Sequence, residues 1–206
     1  MKPADGGTLQ VAVSKDDIKA ATGDSSADPR GMAIGGDGML YVNDDSSDSI
    51  LKIDPDTGSV TVVASRADLQ ALSGGSSVDL DGGIVITDDG KLYTTSDGSP
   101  DAIYELDINT GDVSLVANSG PWSDLEGYVA IAPDGDLVIP DAGTDAVYKV
   151  DPNTGNASTF ISESQIMAIT GDSGADLQGG IGFDADGNFY IAEEDSDGVI
   201  KFPADD

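Results

Sequence analysis

Asp28-Pro29-Arg30-Gly31-Met32-Ala33-Ile34 is the first of four statements of one phrase: Asp, then Leu or Pro, any residue, Gly, and a short apolar run. The phrase returns as Asp79-Leu80-Asp81-Gly82, Asp124-Leu125-Glu126-Gly127 and Asp176-Leu177-Gln178-Gly179. Its glycines stand 51, 45 and 52 residues apart. Periods of this size belong to stacked or radial repeats, in which no single repeat buries its own apolar face.

Working outward, each phrase opens a first strand that runs to an Asp-Gly turn, at Asp37-Gly38, Asp89-Gly90, Asp134-Gly135 and Asp186-Gly187. A second strand follows, at Leu40–Asn43, Leu92–Thr95, Leu137–Pro140 and Phe189–Ala192, then a polar loop and a third, at Ile50–Ile53, Ile103–Leu106, Val147–Val150 and Val199–Phe202. Three units add a fourth, at Val60–Ala64, Val113–Ala117 and Ala157–Ile161. Short Val/Ile/Leu/Tyr runs bounded by Gly, Pro and Asp are the strand signal. The last unit stops after three strands, and Thr8–Val13 at the other end reads as the missing one. The pattern predicts an all-β, four-bladed β-propeller with four antiparallel strands per blade, closed by the N-terminal strand in the last blade. It forms one domain over 1–206, with blade 1 at about 31–64, blade 2 at 82–117, blade 3 at 127–161, and blade 4 at 179–202 plus 8–13. Ser14-x-x-Asp17, Ser65-x-x-Asp68 and Ser162-x-x-Gln165, each followed by a Gly stop, predict short capped helices in three blade-to-blade connections. Asn118–Ser123, the remaining connection, lacks that signal.

The formal charge is −30, from nine Lys and Arg against 39 Asp and Glu. Such a chain has no basic footprint for nucleic acid or for an anionic membrane surface. No apolar run reaches the length of a membrane span, and Met1-Lys2-Pro3-Ala4-Asp5 does not read as a signal peptide. Of the acidic residues 34 are Asp and five are Glu, a bias that favours turn, capping and calcium-binding roles over solubility alone. Without Cys there is no thiolate or disulfide chemistry. Without His the usual acid–base group is absent, so Gly171-Asp172-Ser173-Gly174, which resembles a serine-protease nucleophile segment, has no base to activate it.

The repeat places Asp28, Asp79, Asp124 and Asp176 at one equivalent point, the entry to the innermost strand. Converging at the channel about 7 Å apart, two such charges repel by roughly 2 kcal/mol at an effective dielectric of 20. A cation, protonation or N–H donors must relieve them. Calcium suits an all-oxygen site. The plainer reading is that each Asp caps its own loop, and the two readings are compatible. The loops between second and third strands add Asp48, Asp101, Asp145 and Asp197 on the same face. The loop with Glu193, Glu194, Asp195 and Asp197 is the expected second metal site. Trp122 is a candidate platform for a small molecule or carbohydrate, or a packing residue.

The Gly-Asp turns, Asp28–Ile34, and Ile50-Leu51-Lys52-Ile53-Asp54-Pro55 resemble NHL-type and SMP-30-type propeller repeats across all four blades. Propellers of this type host lactonases, lyases and binding modules. Lactonases of the SMP-30 type hold a divalent metal with Glu, Asn and Asp at the channel mouth, a set that Asp28, Asp79, Asp124 and Asp176 would imitate. The resemblance and the residues lead to three expectations. The first is a secreted or cell-surface, non-catalytic monomer stabilised by calcium, with a metal ion and a small molecule or carbohydrate as partners. The second is a divalent-metal-dependent hydrolase at the channel mouth. The third is a halophile's cytoplasmic protein whose acidity serves only solubility.

Overall fold

The computed structural model describes residues 10–125, 127–177 and 179–204. Its strands form four antiparallel sheets, one for each statement of the phrase, arranged as the blades of a four-bladed propeller. Blade 1 comprises β1 (Pro29–Ile34), β2 (Leu40–Asp44), β3 (Ser49–Ile53) and β4 (Val60–Ala64) in that spatial order. Blade 2 holds β5 (Ile84–Ile86), β6 (Lys91–Ser96), β7 (Ala102–Asp107) and β8 (Val113–Ala117). Blade 3 holds β9 (Ala130–Ile131), β10 (Leu137–Asp141), β11 (Ala146–Val150) and β12 (Ala157–Ile161). Blade 4 shows β13 (Ile181–Phe183), β14 (Phe189–Glu193) and β15 (Gly198–Phe202).

The blade strands are apolar on both faces because each sheet is covered from both sides. In β3, Ile50 points toward blade 2 while Leu51 and Ile53 point the other way, and all three are buried. The core is therefore a series of seams. Tyr41 and Ile50 of blade 1 pack with Leu92 and Tyr104 of blade 2. Tyr93 and Ile103 of blade 2 pack with Leu137 and Ile139 of blade 3. Val138 and Val147 of blade 3 pack with Phe189 and Ile191 of blade 4. The phrase glycine makes the first seam close-fitting. A Cβ on Gly31 would lie 2.5 Å from the Gly82 carbonyl oxygen and 2.8 Å from the Gly83 Cα, so no side chain fits there.

The three short helices appear as expected: α1 (Lys15–Thr22), α2 (Arg66–Ser73) and α3 (Glu163–Thr170). In the first two, the cap serine accepts from the N–H of Asp17 or Asp68, and that Asp reaches back to the cap N–H at 3.0 Å. Gln165 does the same for the Ser162 N–H in α3. All three end on a left-handed glycine, Gly23, Gly74 or Gly171, a conformation that costs other residues a Cβ clash. Leu69 of α2 and Ile166 of α3 are inserted into the seams.

The closing strand needs correction where it can be seen. Thr8 and Leu9 of the expected Thr8–Val13 strand lie outside the described residues, and Gln10–Val13 belong to no strand. They run along blade 1: Val13 packs with Val42, Leu51 and Ile53, and the Ala12 carbonyl lies beside Gly58. The Val116 carbonyl, at the end of β8, sits beside Gly155 in the same way. Gln10–Val13 thus follow the course of an outer strand without pairing as one.

Candidate metal centre on the acidic face

One device anchors the aspartate of every phrase. The residue ending the second strand of the blade accepts its backbone N–H: Asp28 N to Asp44 Oδ1 at 2.7 Å, Asp79 N to Ser96 Oγ at 3.0 Å, Asp124 N to Asp141 Oδ2 at 2.7 Å, and Asp176 N to Glu193 Oε1 at 2.8 Å. The carboxylate clamps also hold the following loop. Asp44 accepts from the Ser47 N–H, Asp141 from the Thr144 N–H, and Glu193 from the N–H groups of Asp195 and Ser196. Asp44, Asp141 and Glu193 are at most 2% exposed. The loop cap therefore comes from the strand end, not from the phrase aspartate, whose own carboxylate is left to point elsewhere. The sequence reading missed this. The signal was the polar residue that closes each second strand, Asp44, Ser96, Asp141 or Glu193.

The phrase aspartates do not gather into one cluster. Asp28 pairs with Arg30 Nη2 at 3.0 Å. Asp79 instead meets the acidic loop of the preceding blade. Ligand oxygens of Asp45, Asp48 and Asp79 all lie within 4.8 Å of one another, and among the described residues this is the one group of three or more such side chains so placed. The backbone aims it. Asp48 has a left-handed φ of 47°, a conformation that Asp tolerates better than most residues, and its Oδ1 accepts the Leu80 N–H of blade 2 at 3.3 Å. Asp145 and Asp197 share that φ, at 50° and 52°. Asp79 Oδ1 and Asp124 Oδ1 are buried with no hydrogen-bond partner.

The chain has only two arginines, and both serve this group. Arg30 Nη2 lies 2.9 Å from Asp45 Oδ2, and Arg66 Nε 2.8 Å from Asp48 Oδ2. Burial still raises the pKa of Asp48, against the pull of Arg66. Burial and then the Asp45 charge raise that of Asp79. The matching seam between blades 2 and 3 has no arginine. There burial, with Asp141 and Asp124 adding to it, raises Asp101 against a lowering hydrogen bond with Asp97. Between blades 3 and 4, burial and the charges of Glu163, Asp176 and Asp195 raise Asp145. Three lysines lie at the opposite, Asp-Gly-turn end. Lys52 pairs with Asp37, Lys91 with Glu105 and Asp107, and Lys149 with Asp134 and Asp136.

The expected second site is divided. Glu193 is buried as a clamp. Its burial opposes ionisation, but hydrogen bonds from Ser196, Asp176 and Asp195 outweigh that and leave its pKa lowered. Glu194, Asp195 and Asp197 are exposed. Trp122 is 9% exposed and packs edge-on against Tyr148, so it is a core residue. A separate groove of about 430 Å³ is lined by Pro29, Arg30, Gly31, Asp81, Gly82, Gly83 and Tyr128, where the inner strands of blades 1–3 begin.

The cluster suits a hard cation on three counts. Every donor is oxygen. The ligand oxygens lie no farther apart than about two calcium–oxygen distances. Four carboxylates, Asp28, Asp45, Asp48 and Asp79, against the guanidiniums of Arg30 and Arg66 leave two negative charges.

No protein-family model and no curated protein matches the chain. Solved structures do. A gluconolactonase from Xanthomonas campestris superposes with a TM-score of 0.60 at 15% identity over 86% of this chain and 59% of that one. A calcium-binding protein, regucalcin, from Agrobacterium tumefaciens gives 0.54 at 20% identity over 79% and 52%. An extracellular domain assigned to a one component system of B. thetaiotaomicron gives 0.59 at 14% identity over 86% and 22%. The chain spans less than two thirds of each. At these identities the likeness shows the fold alone, that of a β-propeller.

Proposed function

We propose that this chain is a non-catalytic binding propeller that takes up a divalent cation, calcium first, at Asp45, Asp48 and Asp79. The observation that carries this is the convergence of those three carboxylates across the seam between two blades. Of the four phrase aspartates, Asp79 is thus the ligand, Asp28 is held by Arg30, and Asp124 and Asp176 line equivalent seams. A cation there would join the β2–β3 loop of blade 1 to the entry of blade 2, so its role is to stiffen the face that carries the groove. Arg30 and the half-exposed Tyr128 make that groove suited to a polar small molecule or carbohydrate. An extracellular setting with millimolar calcium accords with this reading; among the described residues no helix is long and apolar enough to cross a membrane.

Calcium titration tests it. Melting temperature should rise saturably, following mass action to roughly 3 kcal/mol at a hundredfold excess over the dissociation constant. Sodium chloride at matched ionic strength should not reproduce the effect. Asp79→Asn should abolish the response, and Asp176→Asn should leave it. A response in Asp79→Asn equal to the parent's sinks the assignment.

The gluconolactonase likeness favours a second reading, a metal-dependent hydrolase of small lactones or esters whose metal is held by the same three carboxylates. It needs a base near a metal-bound water, a role distinct from that of the ligand Asp79. Turnover of a lactone panel with calcium, manganese or zinc, lost in Asp79→Asn, would establish it over the binding module.

A further inference from the structure

The three packed seams repeat one interface, and the two faces that would make a fourth stand open. Ile50, Ile103 and Val147 occupy one repeat position on the face each blade turns to the next, and all are 0% exposed; Val199, their counterpart on blade 4, is 70% exposed. On the receiving face, Ile86, Ile131 and Phe183 are packed in the seams, while Ile34 of blade 1 is 67% exposed. Ile18 of α1 covers the outer part of that face, in a cluster with no residue of blade 4.

The charges at this open seam also match. Arg66, first residue of α2, pairs with Asp48 of the preceding blade. Lys15, first residue of α1, stands at the same repeat position, exposed and without an ion pair among the described residues. Asp197 repeats the left-handed backbone of Asp48 on blade 4, also exposed. At the seam between blades 3 and 4 the corresponding helix residue is Glu163, which repels Asp145. Lys15 and Asp197 are therefore an Arg66–Asp48-type pair whose halves lie at opposite ends of the blade series.

We propose that blade 4 of one copy docks on blade 1 of a second copy of this chain, seating Val199 against Ile34 and Asp197 against Lys15, and that two copies close a ring of eight blades. A head-to-tail contact either closes or grows into a filament. Eight blades is the upper end of the usual propeller range, so two copies fit and three do not. The expected monomer would then be the protomer of this ring.

Light scattering coupled to gel filtration, at about 1 M salt to screen the charge, should give twice the chain mass at about 100 µM, far above a typical specific dissociation constant. Val199→Asp and Ile34→Asp alter exposed side chains and should each yield a folded monomer, with circular dichroism and melting as in the parent. Mixing the two variants should restore a dimer through one intact seam. At about 0.15 M salt, where the pair is less screened, Lys15→Asp and Asp197→Lys should each weaken association several-fold, and the double variant should recover it. A parent that stays monomeric, including one that couples Lys15 to Asp197 within a single chain, overturns the proposal. So does a dimer indifferent to both apolar substitutions. Neither result bears on the calcium site, which is read from melting in calcium.

Discussion

The seam between blades 1 and 2 and the seam between blades 2 and 3 are built to one plan with different charge. The first presents Asp45, Asp48 and Asp79, compensated by Arg30 and Arg66, and the clamp under Asp79 is the neutral Ser96. The second presents Asp97, Asp101 and Asp124 over an ionisable clamp, Asp141, with no arginine. One repeat position thus carries opposite electrostatic consequences, decided by two arginines and by Ser96 in place of Asp.

The largest effect should come from the clamps. Asp141 accepts the N–H groups of Ser123, Asp124 and Thr144, so Asp141→Ala strands several buried donors and should cost on the order of 4 kcal/mol. Ser96→Ala removes the single bond to Asp79 N–H and should cost about 1 kcal/mol. Equal losses in urea denaturation would show that the clamps are not what distinguishes the seams.

The arginines come next. Arg66→Met leaves Asp48, whose side chain is 10% exposed, without its ion partner, and should destabilise by about 2 kcal/mol, less at high salt. Asp101→Asn at the equivalent position of the second seam should act with the opposite sign, stabilising by about 1 kcal/mol near neutral pH because it removes a charge held among other carboxylates. Two variants that shift the melting temperature in the same direction would erase the contrast.

The smallest effect is the pH profile. Asp48, Asp79, Asp101 and Asp145 have folded pKa values raised above the ordinary 3.8, so the folded chain holds protons that the unfolded chain releases. Stability should rise modestly as pH falls from neutral toward those values, by less than about 1 kcal/mol in total after solvent screening. Below about 4 the sign reverses, as carboxylates with lowered values protonate and lose their partners. These include Asp107 with Lys91 and Asp184, which Asn188 and other donors hold at about 2. Asp101→Asn should flatten the rise, which acid titration followed by fluorescence of Trp122 would read.

The architecture was legible because it depends on local, repeated signals. The Asp-x-x-Gly phrase, the Asp-Gly turns and the short apolar runs between turns are each set by near neighbours, and four copies confirm one another. The helix caps were legible for the same reason: Ser14 and Asp17 are three residues apart, and the short Asp suffices to close the box. The site was legible only in part. Asp79 was among the expected ligands, but its companions Asp45 and Asp48 lie more than thirty positions away, on another blade.

Sequence alone therefore determined the repeat, the number of blades and the acidity of one face, since these follow from spacing and composition. Tertiary structure decided which carboxylates meet. The offset between neighbouring blades brings Asp79, Asp124 and Asp176 against the loop of the blade before, where Asp79 finds Asp45 and Asp48. It also decided where the ring stands open, because whether Ile34 and Val199 are buried depends on what lies across a seam, which strand patterning along one chain cannot specify.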